Sequence, residues 1–332
     1  MRAFLLGFSL WLSGCALVSP LKLNPTQLQA LPPEKELSSV PFIQQQDYQC
    51  GPASLAMILN YYGQHTTPSD LVPWVFTPNA QGSFPAEMDA VTRQQGFISY
   101  PINGFEALLE EVNAGHPVLV LQNLGVSWYT KWHFAVVIGF DQTTQEVILR
   151  SGNLAQKRTP FHLFYTTWKR SERWARVVLP PHQLPATADA LTYLKAAADL
   201  QQTGPATAAL NAFKTAQQNW PENTTALFGL ANQYYQMQQW PLAQHTYEQL
   251  LKANPSYAEG WNNYAYSLMA QRCEAQAKQA IRCAQTLAPE QNAFTDSAND
   301  IEQHFNLPQG NDRATCPMPV ACPVATPNPT LH

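Results

Sequence analysis

The chain reads as an α+β domain followed by an all-α array of repeats. Two observations carry this reading. Between residues 40 and 184 helical periodicities come first and short apolar runs with strand character follow, the order of an α+β domain rather than of alternating β-α units. Beyond that, Pro221, Pro255 and Pro289 are separated by 34 residues twice over, a period that belongs to stacked helix pairs.

The first helix follows a glutamine-rich turn, Gln44-Gln45-Gln46-Asp47-Tyr48-Gln49-Cys50-Gly51-Pro52-Ala53. Leu55, Ile58, Leu59 and Tyr62 recur at helical spacing, and Gly63 suits a left-handed stop. Cys50 thus falls at the N-terminus, where unpaired N–H groups and the macrodipole favour an anion and lower a thiol's pKa. A lone cysteine is often just a small buried hydrophobe. Here Gly51 permits close approach, Pro52 suits a first turn, and Gln45 and Gln44 lie five and six residues upstream, each able to donate to an oxyanion beside a thiol.

Ser83 as N-cap, Pro85 and Gly96 frame a second helix with Met88 and Val91. Phe105, Leu108, Leu109 and Val112 mark a third, ending near Gly115. Val118–Leu121, His133–Phe140 and Glu146–Arg150 read as strands, the last two joined by a polar turn, and Trp174–Leu179 as a final one. His133 opens its strand where the chain leaves a loop, which makes it the candidate base. His116 is the weaker rival; His65 and His162 sit in polar surroundings.

The cysteine turn and His133-Phe134-Ala135-Val136-Val137-Ile138-Gly139 together resemble the papain-like peptidases of the bacteriocin-processing (double-glycine) family, and more narrowly its lipoprotein members with tetratricopeptide repeats. The resemblance covers roughly residues 40 to 180. It implies a papain-like α+β peptidase fold and a Gln, Cys, His and Asp/Asn constellation, with Cys50 as nucleophile, His133 as base and Gln44 or Gln45 at the oxyanion. The family usually carries Asp-Pro after the histidine strand, whereas this chain has Arg150-Ser151-Gly152-Asn153. Asn153 is the expected orienting residue, since an asparagine can accept from an imidazole N–H. Ser151, closer in register, is the alternative.

In the 34-residue frame Ala197, Ala231 and Ala265 take the small position of one helix. Ala209, Ala243 and Ala277 take that of the next, with Phe213, Tyr247 and Ile281 as its large one. Small residues at fixed offsets let paired helices approach closely. About three tetratricopeptide repeats with a capping helix are expected over 187–306, as a separable unit that binds a protein partner, and a Pro-rich tail over 307–332. In this frame Cys273 and Cys283 share a helix, about 15 Å apart, too far to bridge each other. Cys316 and Cys322 are free to pair together or to reach back.

The N-terminus carries Arg2, an apolar run over 3–11 too short for a membrane span, and Leu12-Ser13-Gly14-Cys15, which resembles a bacterial lipobox. Lipidation at Cys15 is expected after a signal peptide over 1–15. A tether over 16–39 then places the protein in the bacterial envelope, anchored in a membrane, with outer-membrane sorting suggested by Ala16. With 13% charged residues and a net charge of −4 there is no basic stripe, so no nucleic-acid partner is expected. No cofactor is expected either. The resulting expectation is a thiol peptidase acting on a peptide or protein substrate. Two alternatives remain: a scaffold that kept the fold and lost activity, and a thiol amidase or acyltransferase.

Overall fold

A computed structural model describes residues 23–307, apart from 47, 76, 78–81 and 127, together with 316, 318 and 320–323. The expected signal peptide and Cys15 lie outside the described residues. Among those described, no helix is long and apolar enough to cross a membrane.

The N-terminal half carries helices α1 (Pro25–Gln29), α2 (Cys50–Tyr61), α3 (Pro68–Val75), α4 (Pro85–Gln94), α5 (Phe105–Asn113) and α6 (Phe161–Lys169). Its strands are β1 (Glu34–Glu36), β2 (Ile98–Pro101), β3 (Val118–Asn123), β4 (Trp132–Asp141), β5 (Glu146–Ser151), β6 (Leu154–Pro160) and β7 (Ala175–Leu179). They form one antiparallel sheet in the order β2-β7-β3-β4-β5-β6, with β1 added to the far end of β4. The α+β reading holds. The polar stretch before Phe161 extends the sheet as β6, and α6 follows it, an element without a clear period in the sequence.

Strand β4 is the centre of the domain. Phe134 to Phe140 are all buried, because β3 and β5 flank the strand and α2 and α5 pack against it. A strand covered on both faces reads as a continuous apolar run instead of an alternation. Helix α2 is similarly enclosed. Every residue from Gly51 to Leu59 is buried, so the helix is a core element rather than the one-sided amphipathic helix that the spacing of Leu55, Ile58, Leu59 and Tyr62 suggests. It ends as expected: Gly63 adopts φ 87°, and its N–H and that of Gln64 close the last turn on Asn60 and Leu59. The second expected helix starts one residue late, since Phe84 is the N-cap of α4 and Glu87 accepts from its backbone N–H at 2.6 Å.

The C-terminal half is helical: α7 (Ala190–Thr203), α8 (Ala206–Asn219), α9 (Thr224–Gln236), α10 (Trp240–Ala253), α11 (Ala258–Ala270), α12 (Glu274–Leu287) and α13 (Asn292–Asn306). These are three helix pairs and a cap. All six alanines of the repeat frame are completely buried, and Phe213, Tyr247 and Ile281 nearly so. Cys273 bonds to Cys316 and Cys283 to Cys322, so both tail cysteines reach back to the last repeat.

The repeat array packs directly on the first domain. Tyr193, Ala197, Ala209 and Phe213 of the first repeat, with Ala226 and Leu230 of α9, belong to the same apolar core as the sheet, whereas the remainder of the last two repeats closes a core of its own. Arg93 of α4 hydrogen-bonds Thr203, and Tyr100 of β2 reaches Thr187 and Asp189. Glu111, fully buried, accepts from Ala186 and Thr187 of the connecting segment and pairs with His116 at 2.7 Å. His116 is therefore committed to the junction between the two halves.

Candidate active site

The thiol is set by a loop that is itself tightly fixed. Arg150, buried in β5, donates to the carbonyls of Val40 and Ser38, and this pins the chain just before the glutamines. Gln45 then bridges three elements. Its Nε2 donates to Ser54 Oγ of α2 at 3.0 Å and to the carbonyl of Phe134 in β4 at 3.2 Å. Its Oε1 accepts from Gly152 N–H at 2.8 Å in the β5–β6 turn. Tyr48 takes φ 62° to turn the chain into α2, whose first residue is Cys50. Gly51 has a stated reason: a Cβ there would lie 2.6 Å from Ser83 Oγ and 3.1 Å from Met88 Sδ.

Cys50, His133 and Ser83 line one cavity of about 1240 Å³, open to solvent between α2, the N-terminus of α4, β4 and the α6–β7 turn. The backbone N–H of Phe134, adjacent to His133, points at the Cys50 sulfur. His133 Nε2 lies 2.8 Å from Ser151 Oγ. That hydroxyl can accept from Nε2–H, and the tautomer in which it does so leaves Nδ1 unprotonated.

The orienting residue is therefore corrected. Ser151, not Asn153, meets the imidazole. Ser151 is the last residue of β5 and is 4% exposed, whereas Asn153 lies beyond the turn at Gly152, where its Oδ1 accepts from Gln44 Nε2 at 3.3 Å. The two-residue offset carries Asn153 past the strand end and onto the cavity rim. The glutamine expectation changes as well. Both Nε2 donors of Gln45 are spent within the protein, and Gln44 is turned to Asn153 outside the cavity wall. Gln46, exposed, is the glutamine that lines the cavity with its side chain uncommitted. The sequence signal for Gln46 was adjacency alone.

The electrostatics also differ from the expectation of a low thiol pKa. Burial raises the Cys50 pKa and outweighs the N–H groups of Phe134, Gly51 and Cys50 itself, which pull it down. Burial, with Lys157 and Lys131 nearby, holds His133 down at about 4. Near neutral pH the pair is thus a neutral thiol and a neutral imidazole. Ser151 cannot offset this by charge as a carboxylate would.

Family comparison decides the first half of the chain: residues 37–175 match the Peptidase_C39 like family. That segment is a C39-like peptidase domain. Residues 200–272 match the tetratricopeptide repeat. Among solved structures the C39-like domain is similar to a C39-like peptidase from Bacillus anthracis, at 21% identity over 44% of this chain and 97% of that one, with a TM-score of 0.39. It is also similar to the peptidase domain of Streptococcus ComA, a bi-functional ABC transporter, at 20% identity over 42% and 98%, with a TM-score of 0.35. The repeats are similar to the first repeat domain of Spaghetti (RPAP3) bound to an HSP90 peptide, at 17% identity over 36% and 96%, with a TM-score of 0.34. No curated protein matches the chain by sequence.

Proposed function

We propose that the chain is a lipid-anchored envelope cysteine peptidase. In this reading Cys50 attacks a peptide carbonyl, and His133 takes the thiol proton and returns it to the leaving amine. The observation that supports it most is the junction of Cys50 and the His133–Phe134 backbone in one open cavity, with the second imidazole nitrogen held by Ser151.

The steps follow from the neutral resting pair. His133, oriented by Ser151, accepts the proton as the sulfur attacks, so general-base assistance replaces a standing ion pair. The tetrahedral oxyanion forms at the start of α2, where the Cys50 N–H is one donor and Gln46 the candidate second. Collapse releases the amine and leaves a thioester, which water then hydrolyses with His133 as base. Asn153 lies at the rim beside Gly152, held from outside the cavity by Gln44. The repeat array recruits the substrate or a protein partner, and lipidated Cys15 anchors the whole at the membrane.

Trapping with a peptide electrophile tests the reading. Wild-type protein labelled at Cys50, with no labelling in Cys50→Ala, supports it; an unreactive Cys50 supports a binding scaffold, which Ser151 in place of a carboxylate favours. Reaction with simple esters or amides but not with peptides would support the amidase or acyltransferase reading. For the anchor, Cys15→Ser should abolish acyl labelling and release the protein from membranes.

A further inference from the structure

The wall of the cavity built by the α6–β7 turn and the β3–β4 hairpin is cationic. Lys131, Arg170, Arg173 and Arg176 line it against one carboxylate, Glu172, in a chain whose net charge is −4. Arg176 is neutralised by a two-pronged pair with Asp89, at 2.8 and 2.9 Å. Lys131, Arg170 and Arg173 have no carboxylate partner among the described residues. Trp174 sits among them. Its ring lies under the Arg176 guanidinium at 4.8 Å and edge-on to Phe134 at 5.5 Å, so it is clamped in place. Its indole N–H is buried and has no acceptor among the described residues, so Trp174 acts here as a fixed wall rather than as a donor. Glu172 and Arg173 both adopt left-handed backbone, φ 56° and 58°, a conformation that costs side-chain-bearing residues energy and concentrates at ligand sites.

Deepening the peptidase reading and resting on it for the cleavage step, we infer that this turn is a subsite for a carboxylate of the peptide substrate. Arg170, Arg173 and Lys131 supply the charge and the N–H donors, against the fixed Trp174 ring. Guanidinium groups suit this role because their planar N–H pairs match a carboxylate. The carboxylate comes from an acidic side chain or from a free C-terminus. Seated beside Lys131, it would also offset one of the two cations that add to burial in lowering the His133 pKa.

Binding tests this without relying on cleavage. Full-length Cys50→Ala protein is titrated with three fluorescent random-heptapeptide pools: Glu-containing with amidated ends, the same with Gln for Glu, and Gln-containing with free C-termini. Either carboxylate pool should bind at least about tenfold more tightly than the neutral one, the scale of one charge-assisted hydrogen bond. Whichever pool binds names the source of the carboxylate. In a Cys50→Ala protein that also carries Arg170→Ala and Arg173→Ala, the preference should fall to about twofold or less. Equal binding of all pools, or a preference untouched by the arginine changes, overturns the inference. If the preference holds while wild-type protein cleaves none of the pools, the peptidase reading fails and the subsite stands.

Discussion

At His133 the protein departs from the usual thiol–imidazolium pair, and two tests follow. Its folded pKa of about 4 lies below the ordinary ~6.5 of an unfolded chain. Between these values the unfolded chain binds more protons, so stability falls as pH drops from about 6.5 to 4, by at most about 3 kcal/mol. Urea unfolding in that window should show this loss in wild type and little of it in His133→Gln. The lowered carboxyl of Glu111 acts further down, below about 4.5, and leaves the window distinguishable. Reactivity gives the second test. Iodoacetamide alkylation of Cys50 should rise with pH only above the ordinary thiol midpoint of about 8.5, because burial raises its pKa. Ser151→Asp, which adds charge beside the ring, should move that profile to lower pH. Ser151→Ala should cut peptide turnover about tenfold, the scale of one lost hydrogen bond, while Asn153→Ala changes it less.

At the scale of elements, the site depends on how closely α2 and α4 meet. The Cβ of Gly51→Ala would lie 2.6 Å from Ser83 Oγ and 2.9 Å from Ser83 Cβ, so the start of one helix must move. A cost of about 1–3 kcal/mol is expected, with peptide labelling of Cys50 lost disproportionately, since the shift falls on the residue next to the sulfur. Calorimetry alongside labelling rates checks the two together. Unchanged labelling in a folded Gly51→Ala protein would show that this contact does not position the thiol.

Across the whole molecule, the shared core predicts how the chain unfolds. Because α7 and α8 pack into the same core as the sheet, tryptophan fluorescence and helical circular dichroism should follow one transition through the first repeat. The last repeats, with their own core, carry the two disulfides. Those bridges span 43 and 39 residues, and reducing both should lower the thermal midpoint of the helical signal, with about 2–4 kcal/mol lost per bridge. Non-reducing peptide maps should contain Cys273–Cys316 and Cys283–Cys322, and no tail-to-tail bridge.

The repeat register and the cysteine and histidine elements were legible in the residues alone, because each follows from a local rule. A 34-residue period fixes which alanines are buried, and a nucleophile at a helix start or a base at a strand start is a matter of a few neighbouring positions. What a local rule does not reach is distance through space. Ser151 rather than Asn153 meets His133 because β5 ends at that residue beside β4, and a strand end is set by its pairing with β4 and β6, which no residue type at the position announces. Gln45 is buried as a bridge because Phe134, Ser54 and Gly152 converge on it from three elements, which leaves Gln46 facing the cavity. The pKa values also reverse the sequence expectation: a helix N-terminus lowers a thiol by a local field, but burial is a property of everything packed around it. Sequence determined the type of the strongly periodic elements and the candidate residues of the site; only the tertiary structure decided which side chains meet, since contact and burial depend on segments that pairing and packing bring together, Gln45 and Gly152 lying 107 residues apart.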